Sequence, residues 1–352
     1  MNIIKTHTII NNNLHKLNDE FLSPKVLAFC MPESLIEWAA RLCYVSNDKF
    51  GTTNKFIPGL IKAGHLDVLE HVSLTAELEF NLIDPEYRYY WYYQIKNQYP
   101  FLNIKFSGQT ALIWGNIRVW KEIADNFFVD FDEIFSGQDI CDLWFYLSFI
   151  APNVFDMPRF EREYSKEKFQ DYYSRAQARY LEILQHSQTF NFASDKNTDT
   201  GAKVTLLGWT PVSYKEPYYH ATFQYDNVSR SLTHQLVRHR LMSFSQQSQR
   251  YCDAKNSRFV FPLENNSTVH YNDYENHFHE SMLLYDELRR DGVKKEDARA
   301  ILPNNIATHI VTSGFSNGWE HYFKLRCAKD AQREIRLVAE VTQELYRQYG
   351  VS

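Results

Sequence analysis

An α+β domain, helices packed on a small mixed or antiparallel sheet, is the fold class this sequence predicts. Apolar residues make up 44% of the 352 and aromatics 16%, enough for a substantial core and too much for disorder. Apolar stripes at helical spacing outnumber alternating stretches, and the alternating stretches do not recur between helices as a doubly wound parallel sheet would need.

The elements follow in order. Residues 1 to about 25 are polar and Asn-rich, a strand or loop at an edge. "SLIEWAARLCYVS" (34–46) puts Leu35, Trp38, Ala39, Leu42 and Cys43 on one helical stripe, with Pro32-Glu33 ahead as a start signal. The Gly/Thr/Pro stretch "FGTTNKFIPG" reads as a loop, followed by a second short helix. "DVLEHVSLTAELEF" (67–80) turns into alternation typical of a half-buried strand. Helical patterns recur in "GNIRVWKEIADNFF" and "FEREYSKEKFQDYYSRAQARYLEILQH". The breaker-rich "ASDKNTDTGAK" (193–203) is the candidate boundary, which divides the chain into 1–80, a mainly helical 81–205, and 206–352. "YYHATFQYDNV" reads as a strand and "SRSLTHQLVRHRLM" as a helix. Helical segments are then expected over 271–290, at "KKEDARAILP" up to Pro303, through "NIATHIVTSGF", and in a last helix from about Asn317 to Tyr349.

Charge and cysteine usage narrow the function. With 38 basic against 43 acidic residues the net charge is −5, which argues against coating nucleic acid or an anionic membrane. Any anion site must be local. Five cysteines, Cys30, Cys43, Cys141, Cys252 and Cys327, have no metal-like spacing, and a reducing cytoplasm fits them. The first twenty residues carry no signal-peptide core, and no apolar run has the length of a membrane span.

The local site is "THQLVRHRLMSFSQQSQRY" (233–251). Between Ser229 and Arg258 stand Arg230, Arg238, Arg240, Arg250, Lys255 and Arg258 against one acid, Asp253. Arg238 and Arg240, two apart, cannot point the same way from a helix, so a helix ending here would aim them at different anions. Guanidinium forks match phosphate oxygens in pairs, each charge-assisted bond contributing about 1.5 to 3 kcal/mol. Ser243, Ser245, Gln246, Gln247 and Ser248 add neutral donors and acceptors suited to a base or ring edge. The same residues alone also allow a solvated helix face or a basic patch touching RNA.

The pattern "RHRLMSFSQQSQRY" closely resembles the signature of the flavin-dependent thymidylate synthases: Arg-His-Arg, then Ser243 at the third place after it, then Ser248-Gln249-Arg250-Tyr251. "ARLCYVS", "GHLDVLEH", "VSRSLTHQLV", "RFVFP", "DARAILP" and "LRCAKDAQREIR" resemble further blocks of that family in the right order. The resemblance implies the family's fold, with FAD, NADPH and methylenetetrahydrofolate converting dUMP to dTMP. It implies that Arg238, His239 and Arg240 contact FAD with His65 beside it, Asp67 near its phosphates, and Gln246 and His321 contributing. Gln235, Arg238, Gln246, Gln247, Ser248, Gln249, Arg250 and Arg299 would bind dUMP, and Arg326 would sit against the uracil and favour ionisation at N3. It implies no nucleic-acid or membrane partner and a homo-oligomer.

Two positions depart from the family. Asp67 stands where Ser or Thr is usual, and Phe315 and Asn317 stand where Asn-x-Arg is usual. About 140 residues also intervene between the "EHVSLTAELEF" strand and Val-Ser-Arg, an insertion or a degenerate second copy. "YKEPYYHATFQYDNVSR" replays the earlier strand, and "WGNIRVWKEI" holds the Asn-x-Arg-x-Trp missing later, so Asn116 and Arg118 are candidate FAD contacts, or else a helix cap and a surface arginine.

Other chemistries fit less well. Cys252 has no basic partner fixed by sequence and reads as a structural thiol, and Ser248 lacks a paired base. His277 and His279 in "HFHE" fall on different faces of a helix, so no metal is expected. Phosphate-loop motifs are absent. Alternatives are a related flavin-dependent enzyme modifying C5 of a uracil nucleotide, with a hydroxymethylated product for example, and a non-catalytic nucleotide or RNA binder.

Overall fold

The computed structural model describes residues 4–9, 32–80, 85–107, 110–130, 147–148, 151–155, 170, 174, 193–196, 201–212, 218–262 and 268–350. Helices and small sheets coexist without regular alternation, as an α+β chain requires. Two compact units interleave along the sequence: Met1–Glu37, Gly51–Asn191 and Thr210–His220 form one, and Trp38–Phe50, Phe192–Trp209 and Ala221–Ser352 form the other. The long switch at Asn191 falls beside the breaker-rich stretch.

The first unit is built on a four-stranded sheet of order β1-β2-β4-β3 from Ile4–Ile9 (β1), Ser73–Phe80 (β2), Asn103–Ser107 (β3) and Thr110–Asn116 (β4), with antiparallel neighbours throughout. The Asn-rich start supplies its edge, as expected. Helix α1 (Pro32–Tyr44) is buried at Leu35, Ile36, Ala39, Ala40 and Leu42, while Trp38 and Cys43 of the predicted stripe are half-buried. Buried Glu37 at its middle accepts from the Gly51 and Thr52 backbone N–H groups, 3.2 and 3.0 Å, and so anchors the loop that follows. Helix α2 (Thr53–Lys62) corrects the sequence reading, which placed a loop across 50–59: Ile57 and Leu60 are buried, and that burial carries the helix through Pro58. Helix α3 (Pro85–Gln98) precedes the β3-β4 hairpin, and β4 runs directly into α4 (Ile117–Asp130). The helical pattern over 160–186 lies outside the described residues apart from 170 and 174.

The second unit is centred on a five-stranded sheet of order β5-β6-β7-β9-β8, from Ala193–Lys196 (β5), Lys203–Pro211 (β6), Tyr219–Ser229 (β7), Met242–Gln246 (β8) and Ala307–Phe315 (β9). Here the sequence reading needs three corrections. The helix expected to reach Met242 stops at Leu236 (α5, Arg230–Leu236), so Arg238, His239 and Arg240 sit in a turn and the Ser/Gln run begins as a strand. "NIATHIVTSGF" is strand β9, consistent with β-branched Thr308, Ile310, Val311 and Thr312 in its alternately and then continuously buried register. The single last helix is two, α8 (Ser316–Arg326) and α9 (Arg333–Gly350), separated by a turn that closes on Ala331 N–H to Ala328 C=O at 3.1 Å. Helices α6 (Tyr271–Arg290) and α7 (Lys295–Ala298) fall where the sequence placed them. Tyr285, Phe278 and Met282 of α6 pack with Ala254, Ala298 and Ile306 and support the loop after β8.

Two buried histidines, His71 and His220, give a pH signature. Burial pulls the His71 imidazole down to about 3, and burial plus the neighbouring His71 does the same for His220. An unfolded histidine titrates near 6.5, so between that pH and about 3 the unfolded chain binds more protons and stability falls as pH falls. Lowering pH from about 7 to about 5 is expected to cost about 2 kcal/mol per histidine. Urea midpoints across that range measure it; His220→Gln should flatten the profile, and an equally steep profile in the variant contradicts the assignment.

Candidate functional site

Helix α5 is the scaffold of the site. Its N-cap Ser229 accepts the Leu232 N–H on Oγ at 3.0 Å, filling one of the orphan donors of the first turn. The buried Glu334 carboxylate, from the start of α9, accepts from Ser229 N–H at 2.7 Å and Ser229 Oγ–H at 2.6 Å. Burial pushes the Glu334 pKa up, and the two Ser229 hydrogen bonds oppose that rise. At the other end of α5, Gln235 Oε1 and its backbone carbonyl accept from Arg326 Nη1 and Nη2 at 3.2 and 3.3 Å. Arg326 is the last residue of α8, so the end of one helix is tied to the end of another.

His239 completes the grip on Arg326, accepting the Arg326 Nε–H on Nε2 at 3.0 Å. A guanidinium only donates, so the neutral His239 carries its proton on Nδ1. That Nδ1 is buried and has no hydrogen-bond partner among the described residues. Burial, with Arg326 and His321 adding, pulls the His239 imidazole down to about 4, which keeps it neutral at physiological pH. Its ring stands edge-on to Tyr322 and His321, with centroids 5.1 and 5.8 Å away. An unpartnered buried donor costs about 1 to 3 kcal/mol, so this proton is set to meet an acceptor.

Arg238 and Arg240, exposed in the turn before β8, have no side-chain partner among the described residues. The turn rests on the corner where β9 enters α8: a Cβ on Gly318 would lie 3.2 Å from the Leu241 carbonyl oxygen, and one on Gly314 3.1 Å from Met242 Cγ. Further along, Arg250 pairs with Glu296 at 3.3 Å and lies 5.4 Å over the Tyr251 ring, while Arg299 Nε donates to the Glu296 carbonyl at 3.1 Å. Glu296 thereby orients both arginines. Arg230 donates to the Gln247 carbonyl at 3.0 Å and feels the like charge of Arg299.

The predicted amide residues make internal hydrogen bonds. Gln246 Nε2 turns to Thr233 Oγ1 at 3.0 Å, and Gln247 N–H bonds the His309 carbonyl at 2.9 Å. Ser248 N–H bonds the Cys43 carbonyl at 2.9 Å, and its Oγ accepts from the Arg250 N–H at 3.2 Å. Gln249 is half-buried beside them. Cys252 is buried with its thiol 3.4 Å from the Cys43 carbonyl, and burial pushes its pKa up, the opposite of what a nucleophile needs.

The remaining candidates lie in the first unit. His65 and Asp67 are exposed, Asp67 opening the 3₁₀ turn Asp67–His71. Asn116 Oδ1 accepts from Val119 N–H at 3.0 Å, a helix cap, and Arg118 pairs with Glu70 at 2.7 Å and Glu122 at 3.1 Å. Residues that the sequence reading passed over are Ser229, Glu334, Glu296 and Gln332, which accepts from the Gln235 side-chain amide. The signal was present in "REIR", where an acid falls in the first turn of a helix, but its partner lies 105 residues away. Among the described residues no group of three metal-binding side chains occurs, and no helix is long and apolar enough to cross a membrane.

Comparison with known proteins places the chain in a family. The family model described as thymidylate synthase complementing protein matches residues 25–82 and 217–349, more than half of the chain. Proteins named flavin-dependent thymidylate synthase are 38% identical over 146 residues in Nitratidesulfovibrio vulgaris, covering 38% of this chain and 60% of that protein. The one from Pyrococcus furiosus is 42% identical over 142 residues, covering 38% and 57%, and the one from Mycobacterium tuberculosis 34% over 134 residues, covering 34% and 54%. The matched region thus spans between half and two thirds of each of these relatives. With its Arg-His-Arg turn, its Ser248-Gln249-Arg250 segment and the Arg326 that closes on α5, the chain belongs to the thymidylate synthase complementing protein family.

Proposed function

We propose that the chain is a cytoplasmic flavin-dependent thymidylate synthase that methylates dUMP at C5 with methylenetetrahydrofolate as carbon donor and NADPH as reductant. The observation that carries this reading is Arg326, held at Nε, Nη1 and Nη2 by His239 and Gln235 and left with one free N–H on each terminal nitrogen. A guanidinium fixed before substrate arrives needs no reorganisation to stabilise an anionic pyrimidine, which is what C5 must become to act as a nucleophile. Arg250 and Arg299, oriented by Glu296, supply the forks for the nucleotide phosphate.

FAD suits the residues around the turn: Arg238 and Arg240 have their donors free, and the buried Nδ1–H of His239 lacks an acceptor. Those residues would hold it, and when bound it supplies the hydride that reduces the transferred carbon to a methyl group. His65 and His321 are the further candidates. Asp67 works against a phosphate and weakens the hold. Cys252, raised and buried, takes no part.

The extra length is best explained by a degenerate second copy. In the first unit β4 passes into α4 with no intervening residue, and Trp120 donates its indole N–H to Leu74 C=O on β2 at 3.0 Å. In the second, β9 passes into α8 likewise, and Trp319 donates to Ala221 C=O on β7 at 3.2 Å. Gly115-x-x-x-x-Trp120 and Gly314-x-x-x-x-Trp319 occupy the same steps. Each chain then carries two family-like halves. Asn116 and Arg118 mark the half that kept Asn-x-Arg.

Purified protein is expected to be yellow, bleached by NADPH, and to release tritium from C5-labelled dUMP; product mass separates methylation from hydroxymethylation, and a colourless protein that binds nucleotide without turnover overturns the reading. Cys252→Ala should keep tritium release within about twofold, since an added thiol would be indispensable in a cysteine-dependent mechanism. Native mass of the holo-protein tests the duplication: a dimer is expected, and a tetramer speaks for a simple insertion.

A further inference from the structure

We propose that Gln332, in the turn between α8 and α9, is a positioning residue for Arg326: its side-chain oxygen decides which end of the Gln235 amide faces the guanidinium. The inference rests on the reading of Arg326 as the group that meets the pyrimidine. A glutamine amide has an acceptor end and a donor end of nearly equal size, and an arginine offers only donors. Arg326 Nη1 therefore needs the Gln235 oxygen, found at 3.2 Å. The opposite end of that amide must then find an acceptor, and it donates to Gln332 Oε1. With the acceptor removed, the single Arg326 bond alone holds the amide against flipping, and a flipped amide puts donor against donor at Nη1.

Gln332 is held in place by its neighbours and not by packing. Its backbone carbonyl accepts the Arg336 N–H at 3.0 Å, and Arg336 Nη1 bonds back to the Lys329 carbonyl at 2.5 Å, closing the turn. Two residues on, Glu334 is fixed to Ser229 by both oxygens. Ser229 and Gln235 bracket α5, so the register of α9 set at Ser229 delivers Gln332 to Gln235. The side chain of Gln332 is itself exposed, and substitutions there remove no core contact.

The test compares Gln332→Glu, Gln332→Met and Gln332→Lys in the flavin-loaded protein. Glutamate keeps an acceptor and should turn dUMP over within about twofold of wild type. Methionine keeps the bulk without the acceptor and should lower kcat/KM for dUMP about fivefold to tenfold, and lysine, a donor only, by more. Flavin content and Tm should stay unchanged in all three. The loss should shrink as pH rises, because the pyrimidine then ionises without help from a well-placed cation. Methionine and lysine variants with wild-type kinetics overturn the proposal, as does a loss that travels with lower Tm or flavin content. The Arg326 Nη1–H resonances, on the nitrogen that bonds the Gln235 oxygen, give a readout independent of turnover: slow exchange in wild type and Gln332→Glu and fast exchange in the other two is expected, and identical exchange in all overturns the positioning role even if the wild type makes no dTMP. Absent dTMP formation by the wild type overturns the functional reading separately.

Discussion

Everything in the candidate site hangs on a buried carboxylate. Glu334 spends both oxygens on one residue, Ser229, taking its N–H and its hydroxyl, while the same hydroxyl oxygen caps α5 through Leu232. The arrangement answers three demands together: the serine fills an orphan donor of a short helix, the carboxylate is compensated in a place water does not reach, and α9 is fixed in register along α5. A seven-residue helix is only about 10 Å long, so fixing one end fixes the other. The Gln235 end is therefore in place to receive Arg326 before any ligand arrives.

From that anchor the electrostatic logic follows. A chain with net charge −5 concentrates guanidinium groups around one short helix and leaves several of them without a carboxylate. Arg230 is lowered by burial and by Arg299, a repulsion that an unliganded protein gains nothing from. His239 stays neutral first because it is buried, and then because a second positive charge beside Arg326 would be repelled. Neutrality is what allows Nε2 to accept from Arg326 and leaves Nδ1–H as an unanswered donor. Such unmet groups are costly in the free protein and are recovered on binding, which is how a marginally stable fold comes to favour its ligands.

What the sequence revealed follows the range of the interactions involved. The core helix at 32–44 and the strand at 73–80 were legible because their signals are periodic and local, while the stretch that holds the edge strand at 4–9 was readable only as strand or loop. Strand β9 was misread as helix because "ATHIVTSGF" is buried on both faces near its end and loses the alternation that marks a strand. The break between α8 and α9 was missed because "CAKDAQ" carries neither Gly nor Pro. In the site, the arginines and the neutral amides were visible as composition, and the family resemblance gave them roles. Their orienting partners were not: Glu296 lies 46 residues from Arg250 and Glu334 lies 105 from Ser229, distances over which a single sequence holds no pairing information.

The departure from the family pattern at Phe315 and Asn317 acquires a physical meaning through the strand-to-helix corners. At Gly314-Phe315-Ser316-Asn317-Gly318-Trp319 the corner is used for packing: Gly314 and Gly318 leave room for Leu241 and Met242, and Trp319 is fully buried with its indole on Ala221. At Gly115-Asn116-Ile117-Arg118-Val119-Trp120 the polar pair is kept, yet it is spent inside its own unit, Asn116 as a cap and Arg118 on Glu70 and Glu122. An arginine shared between two carboxylates is less available to a ligand than the bare Arg238 and Arg240, because each new bond must displace an existing one. Bare guanidinium groups thus stand at the Arg-His-Arg turn and not at the Gly115–Trp120 corner. The turn in turn depends on the two glycines of α8 and β9 that it rests on, so the corner that gave up its own polar contacts still sets the position of the cations that remain.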